Sequence, residues 1–178
     1  MLQVYVGAAY APSVRCAQTF IMSNIKLEKY GPPDIKLSGF QLWIHNRQYP
    51  ESDDYWDGNW LRATAHCGSD GASVTVTGAI IRSPEVLELK KAFEQLSSSL
   101  QGAKQIECLE PYLKFDLQME SLGNTVFSVF ITPDHLTQQH SFIFSIDQSY
   151  FSSMIESCTK ILKRFPIIGD PSYSVGRT

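Results

Sequence analysis

Between Leu113 and Glu120 the chain alternates without a break: Leu113, Phe115, Leu117 and Met119 are apolar, and Lys114, Asp116, Gln118 and Glu120 are polar. Successive side chains of a strand point to opposite faces, so this stretch reads as a strand with one face in a core and the other in water. Such a strand needs neighbours, and the sequence that follows supplies them. Phe127, Val129 and Ile131 alternate within 125–132, and Phe142, Phe144 and Ile146 within 141–147. Gly123-Asn124 and Pro133-Asp134 provide turn signals. The three segments are expected to form an antiparallel meander.

Upstream, 35–46 reads as one strand whose parity changes. Ile35 and Leu37 lie on one alternate set and Phe40, Leu42 and Ile44 on the other, which predicts a bulge at Gly39. The runs 60–67 and 73–81 flank Gly68-Ser69-Asp70-Gly71 and predict a hairpin. Ser83 as cap, Pro84 at the first helical position and Glu85 near the positive end of the dipole predict a helix with the stripe Val86, Leu89, Phe93, Leu96 and Leu100. A last helix is expected after Ser149, with Phe151, Met154, Ile155, Cys158, Ile161, Leu162 and Phe165 on one face. Lys160, Lys163 and Arg164 lie at its negative end, and Pro166 stops it. Six strands and two amphipathic helices imply an α+β fold, a curved and mostly antiparallel sheet with the helices packed on it.

A chain of 178 residues is the size of one domain, able to bury about 70% of the surface its unfolded form exposes. Residues 1–21 have apolar stretches broken by Gly7, Pro12 and Arg15, too short for a membrane span and without a basic start. Because Met22-Ser23-Asn24 reads as a natural beginning, 1–21 is expected to be an extension, 22–168 the domain and 169–178 a loose tail. A net charge of -3 leaves no basic footprint for direct nucleic-acid binding. Cys16, Cys67, Cys108 and Cys158 form no Cys-x-x-Cys pair, so reduced thiols in a cytoplasmic protein are expected, with neither zinc nor a redox motif.

The stretch 51–61, Glu51-Ser52-Asp53-Asp54-Tyr55-Trp56-Asp57-Gly58-Asn59-Trp60-Leu61, concentrates acidic charge and two of the three tryptophans. Its carboxylates repel one another at neutral pH, so a stable loop needs solvent, hydrogen-bond donors or a cation. Two readings are open. One is an Asx-rich turn with the tryptophans as lids on a core. The other is an acidic, aromatic recognition surface made by Glu51, Asp53, Asp54, Tyr55, Trp56, Asp57 and Trp60. An EF-hand alignment starting at Asp53 fails, because Tyr55 falls at the third position and Thr64 at the twelfth, where carboxylates are needed.

The run Tyr49-Pro50, then Asp53-Asp54-Tyr55-Trp56-Asp57-Gly58-Asn59-Trp60-Leu61, then a Gly-containing hairpin, a helix and Leu109-Glu110-Pro111-Tyr112-Leu113-Lys114-Phe115, resembles the WapI family of bacterial immunity proteins. The similarity runs from Ile35 to Pro166. It implies a protein that neutralises, by binding, the toxic C-terminal domain of a cognate contact-dependent toxin, a tRNA-cleaving nuclease in the case that names the family. It implies no enzymatic activity and no cofactor, and the oligomeric state stays open.

No nucleophile elbow, phosphate-binding glycine loop or dinucleotide fingerprint occurs in the sequence. His45 and His66 lie on strands flanking the acidic loop. If they met Asp53 or Asp57 in a pocket, a small hydrolase or ligand-binding domain would be the alternative. His135 and His140 lie in separate segments and read as surface residues. Glu110 is expected to tie the start of its strand to a backbone N–H or to Arg62. A large exposed apolar patch would instead point to a structural subunit.

Overall fold

The computed structural model describes residues 27–174, without the side chains of residues 173 and 174. The chain divides into two units, 1–31 and 32–178. In the first, the described residues Leu27–Gly31 make a closing turn in which the Tyr30 N–H donates to the Leu27 carbonyl at 3.0 Å. The expected extension 1–21 and the start at Met22 lie outside the described residues.

In the second unit Ile35–Leu37 (β1), Phe40–Arg47 (β2), Trp60–Ser69 (β3) and Ala72–Arg82 (β4) form one antiparallel sheet in the order β1-β2-β3-β4. After Ser83–Ser99 (α1), the strands Ala103–Glu107 (β5), Leu113–Met119 (β6), Asn124–Ile131 (β7) and Ser141–Asp147 (β8) form a second, β5-β6-β7-β8, and Tyr150–Arg164 (α2) follows. The fold is α+β as expected, with the strands divided between two open sheets of four. The eight replace the six expected because one strand is two and another was not anticipated.

The divided strand is 35–46. No bulge occurs at Gly39; Leu37 instead pairs with Phe40 across the two-residue turn Ser38-Gly39. The parity change is the reversal of direction itself, which lets Ile35, Leu37, Phe40 and Leu42 all reach the core. A side chain on Gly39 would stand 2.1 Å from the Gly68 carbonyl oxygen and 2.9 Å from the Phe144 ring, so this turn admits only glycine where the sheets approach. The bulge of β2 lies at His45 instead, where the register with β3 shifts between Ile44 and Asn46. A second bulge between Leu61 and Arg62 lets both Ile80 and Ile81 be buried.

The inner faces of the two sheets meet at Phe40, whose ring stands 5.1 Å from Phe115 and 6.4 Å from Phe127, edge-on to both. The helices share this core: Phe93 of α1 lies 5.2 Å from Phe151 of α2. The stripe of α1 is buried from Val86 to Leu96, but Leu100 is exposed because it takes a left-handed conformation (φ 52°) and ends the helix. In α2, Phe151, Met154, Cys158 and Ile161 are buried as their spacing required. Neither helix is capped by a serine side chain as expected. At α1 the N–H of Arg82 donates to Glu85 Oε2 at 2.8 Å, and before α2 the Ser149 N–H donates to Asp147 Oδ1 at 2.8 Å.

Arg164 does more than compensate a dipole. Its guanidinium bridges Asp34 at 3.0 Å and donates to the Ile44 carbonyl at 2.9 Å, while Asp34 Oδ2 accepts the Ile44 N–H at 2.6 Å. The end of α2 is thereby fastened to β2 beside its bulge. Cys67, Cys108 and Cys158 are free, buried thiols, and burial pushes those of Cys67 and Cys158 up to about 12.

Candidate functional site

The acidic stretch is the connection between β2 and β3, and its shape comes from its own side chains. Asp54 Oδ1 accepts the N–H groups of Trp56 at 2.7 Å and Asp57 at 3.1 Å, and the Asp54 carbonyl accepts the Gly58 N–H at 2.8 Å. That is an Asx turn continued by one helical turn. Gly58 is obligatory, since a Cβ there would lie 2.6 Å from the Asp54 oxygen and 2.7 Å from that of Ser52. Asp54 therefore serves the loop's backbone, whereas Glu51, Asp53 and Asp57 face solvent.

Beneath the loop lies Arg82, the last residue of β4, 95% buried by its 5% exposure. Its Nη2 donates to the Tyr55 carbonyl at 2.9 Å, and its guanidinium stands 5.2 Å from the Tyr55 ring, 5.1 Å from Trp56 and 5.6 Å from Trp60. All three distances are within the range of cation–π attraction, which strengthens on desolvation. The cation that the acidic stretch needs is thus bound by aromatic faces and a carbonyl. Tyr55 and Trp60 are half-buried in this cage, while Trp56 covers it and remains 43% exposed.

Asn59, fully buried, closes the structure. Its Nδ2 donates to the carbonyls of Tyr55 at 2.8 Å and Ile168 at 2.9 Å, and its Oδ1 accepts the Ile168 N–H at 3.0 Å. Arg47 adds bonds to the carbonyls of Gly58 and Pro166. The segment following α2 is thus strapped under the loop. Gly169, where a loose tail was expected to begin, lies close enough to Tyr55 that a Cβ would be 3.0 Å from its nitrogen, and residues 171–174 form a 3-10 turn.

The sequence singles out neither Arg82 nor the bonding role of Glu85, which it places only near the positive end of the helix dipole. The Glu85 carboxylate accepts the N–H of Arg82 through Oε2 and that of Leu109 through Oε1, each at 2.8 Å. Burial raises its pKa, against the lowering effect of these N–H groups, the Arg82 charge and the Cys108 thiol. Glu85 plays the part expected of Glu110, which is exposed, and Arg62 bonds to Gln48 instead. A glutamate three residues past a helix's first flanking residue is a recognised capping signal, so Glu85 could have been found from the sequence.

The histidines bond elsewhere. His45 Nε2 lies 2.9 Å from Thr64 Oγ1, which in turn meets Thr77 Oγ1 at 3.0 Å, and His66 Nε2 lies 3.0 Å from Ser73 Oγ. Burial lowers the pKa of His66, whose Nδ1 is buried without a partner. Among the described residues no group of three or more His, Cys, Asp or Glu side chains could hold a metal ion, and no helix is long and apolar enough to cross a membrane.

The profile of the Immunity protein WapI-like family matches residues 34–166, from Asp34 at the α2 clamp to Pro166 in the strap, and so takes in the whole acidic loop. No curated protein matches the sequence. Among solved structures, the crystal structure of WHY3 from Arabidopsis thaliana is similar at 9% identity with a TM-score of 0.42, covering 74% of this chain and 85% of that one.

Proposed function

Because this chain belongs to the Immunity protein WapI-like family, we propose that it protects its cell by binding the toxic C-terminal domain of a cognate contact-dependent toxin in the cytoplasm. Sequestration is the proposed mode of action, with no chemistry performed on the toxin. The observation that carries the reading beyond the family is the construction of the acidic loop. Glu51, Asp53, Asp57 and the exposed part of Trp56 stand on a backbone fixed from below by Arg82 and Asn59. A surface already held in one conformation loses little entropy on binding.

A nuclease that cleaves tRNA has to present a basic cleft to phosphate. The outward carboxylates would steer such a cleft toward the loop, and the Trp56 ring would supply an aromatic anchor at the contact. The test is co-expression of this chain with a toxin C-terminal domain encoded beside it, followed by co-purification. Restored growth together with a stable complex is the expected result; a toxin that still kills and elutes alone would sink the pairing.

A further inference from the structure

An edge strand leaves half of its backbone groups without a ladder partner, and there a sheet can accept another strand. β5 is such an edge. The Met119 N–H donates to the Gly102 carbonyl at 2.9 Å and the Cys108 N–H to the Leu113 carbonyl at 3.2 Å. With the register Ala103↔Gln118 through Glu107↔Lys114, these bonds turn the even-numbered residues of β5 toward β6. The N–H and C=O groups of Ala103, Gln105 and Glu107 therefore point away from it. Among the described residues nothing bonds to them.

The next outward N–H, that of Leu109, is taken by Glu85 of α1, so the free row points to the side where the helix lies. Between helix and strand is a cleft of about 460 Å³, lined by Glu85, Glu88, Lys91, Ala92 and Gln95 on one side and by 104–107 on the other. A helix that merely covered the edge would fill this space with side chains. Charge within the cleft is uneven. The Glu85 carboxylate is held by the N–H groups of Arg82 and Leu109, Glu88 is paired with Lys91 at 2.8 Å and Glu107 with Lys114 at 3.3 Å, whereas Lys104 has no ion-pair partner among the described residues.

We propose that the cleft between α1 and β5 receives an extended segment of the toxin domain, which adds to the sheet as one more strand and sets a carboxylate against Lys104. The inference rests on the immunity reading and names a second contact, separate from the acidic loop. Backbone hydrogen bonds to Ala103, Gln105 and Glu107 hold the segment, and the helix wall and Lys104 select its side chains.

Hydrogen exchange on the free chain and on its complex with the toxin domain tests this. The amides of Gln105 and Glu107 exchange rapidly in the free chain and slow by roughly tenfold or more in the complex. Gln105→Pro removes an outward donor that an edge strand can lose without unfolding, and lowers affinity by roughly tenfold or more. Lys104→Glu also weakens binding while leaving the melting temperature in place, and it decides the matter with the exchange data if the proline variant does not fold. A complex with unprotected edge amides and full affinity in Lys104→Glu overturns this inference alone. Absence of any complex overturns it together with the immunity reading. Protection of the edge in the free chain, accompanied by elution as a dimer, assigns the cleft to a second copy and also overturns it.

Discussion

Arg82 donates to the main-chain carbonyl of Tyr55 at 2.9 Å from beneath the acidic loop, so a cation at the end of β4 holds the connection between β2 and β3 from its buried side. The three rings around it turn the loop's aromatic content into a binding site for the protein's own guanidinium. The structured turn and the proposed recognition surface are then two sides of one object. Tyr55 and Trp60 serve the inner side, and Glu51, Asp53 and Asp57 make up the outer one.

Replacing that guanidinium tests the cage. Arg82→Lys keeps the charge but loses the planar group that lies among the rings, and should cost about 2 kcal/mol. Urea denaturation measures the loss, and a shift of tryptophan emission to longer wavelength should accompany it as Trp56 and Trp60 gain water. An unchanged midpoint and spectrum would mean that the rings gain nothing from the cation.

Asn59→Ala leaves the Tyr55 carbonyl and both backbone groups of Ile168 without their side-chain partner. The expected loss is about 2–4 kcal/mol. Amide exchange should rise together in 51–60 and at Ile168, which distinguishes a broken strap from general destabilisation.

The outward carboxylates separate from the structural one. Asp53→Lys with Asp57→Lys should slow association with the toxin domain and weaken its dependence on salt, at an unchanged melting temperature. Asp54→Lys should lower the melting temperature, because Asp54 Oδ1 holds the N–H groups of Trp56 and Asp57. Stopped-flow association across a salt series, beside thermal melts, reads both. Equal association rates for the wild type and the double variant would remove the loop from the interface.

His66 predicts a pH dependence. Its pKa is lowered in the fold by burial, and protonating its unpartnered Nδ1 would bury an unsatisfied donor. The neutral ring's contribution is complete above the ordinary histidine value and is lost as pH falls through the depressed one. His66→Gln should therefore lose less stability than the wild type on acidification below about 6.5. Denaturation midpoints of the two proteins between neutral and mildly acidic pH give the comparison; parallel curves would exclude His66 as the cause.

β6 was legible because its apolar residues repeat every second position, and burial follows that pattern from Leu113 to Met119. β5 was not, since Ala103–Glu107 has a single large apolar residue, Ile106, and is a strand by virtue of its pairing with β6. The hairpin at Ser38-Gly39 reads as a bulge in the sequence because both devices reverse the parity of buried positions, and only pairing distinguishes them. At the candidate site the Asx-rich turn could be read locally, since Asp54 and its donors are neighbours in sequence. Arg82 could not. The rings that surround it lie far upstream, and nothing in Ile81-Arg82-Ser83 reports their approach.

The bonds between Asn59 and Ile168 join positions 109 residues apart. In a chain emerging from the ribosome every strand of both sheets precedes Ile168, and until Ile168 appears the Asn59 side chain has only the Tyr55 carbonyl to satisfy it. The acidic loop consequently cannot acquire its final shape until the segment after α2 has emerged. A prematurely terminated product that kept every carboxylate of the loop but lost 166–169 would carry the charges without the shape, and on the proposed function would compete poorly for a toxin against chains that kept the strap.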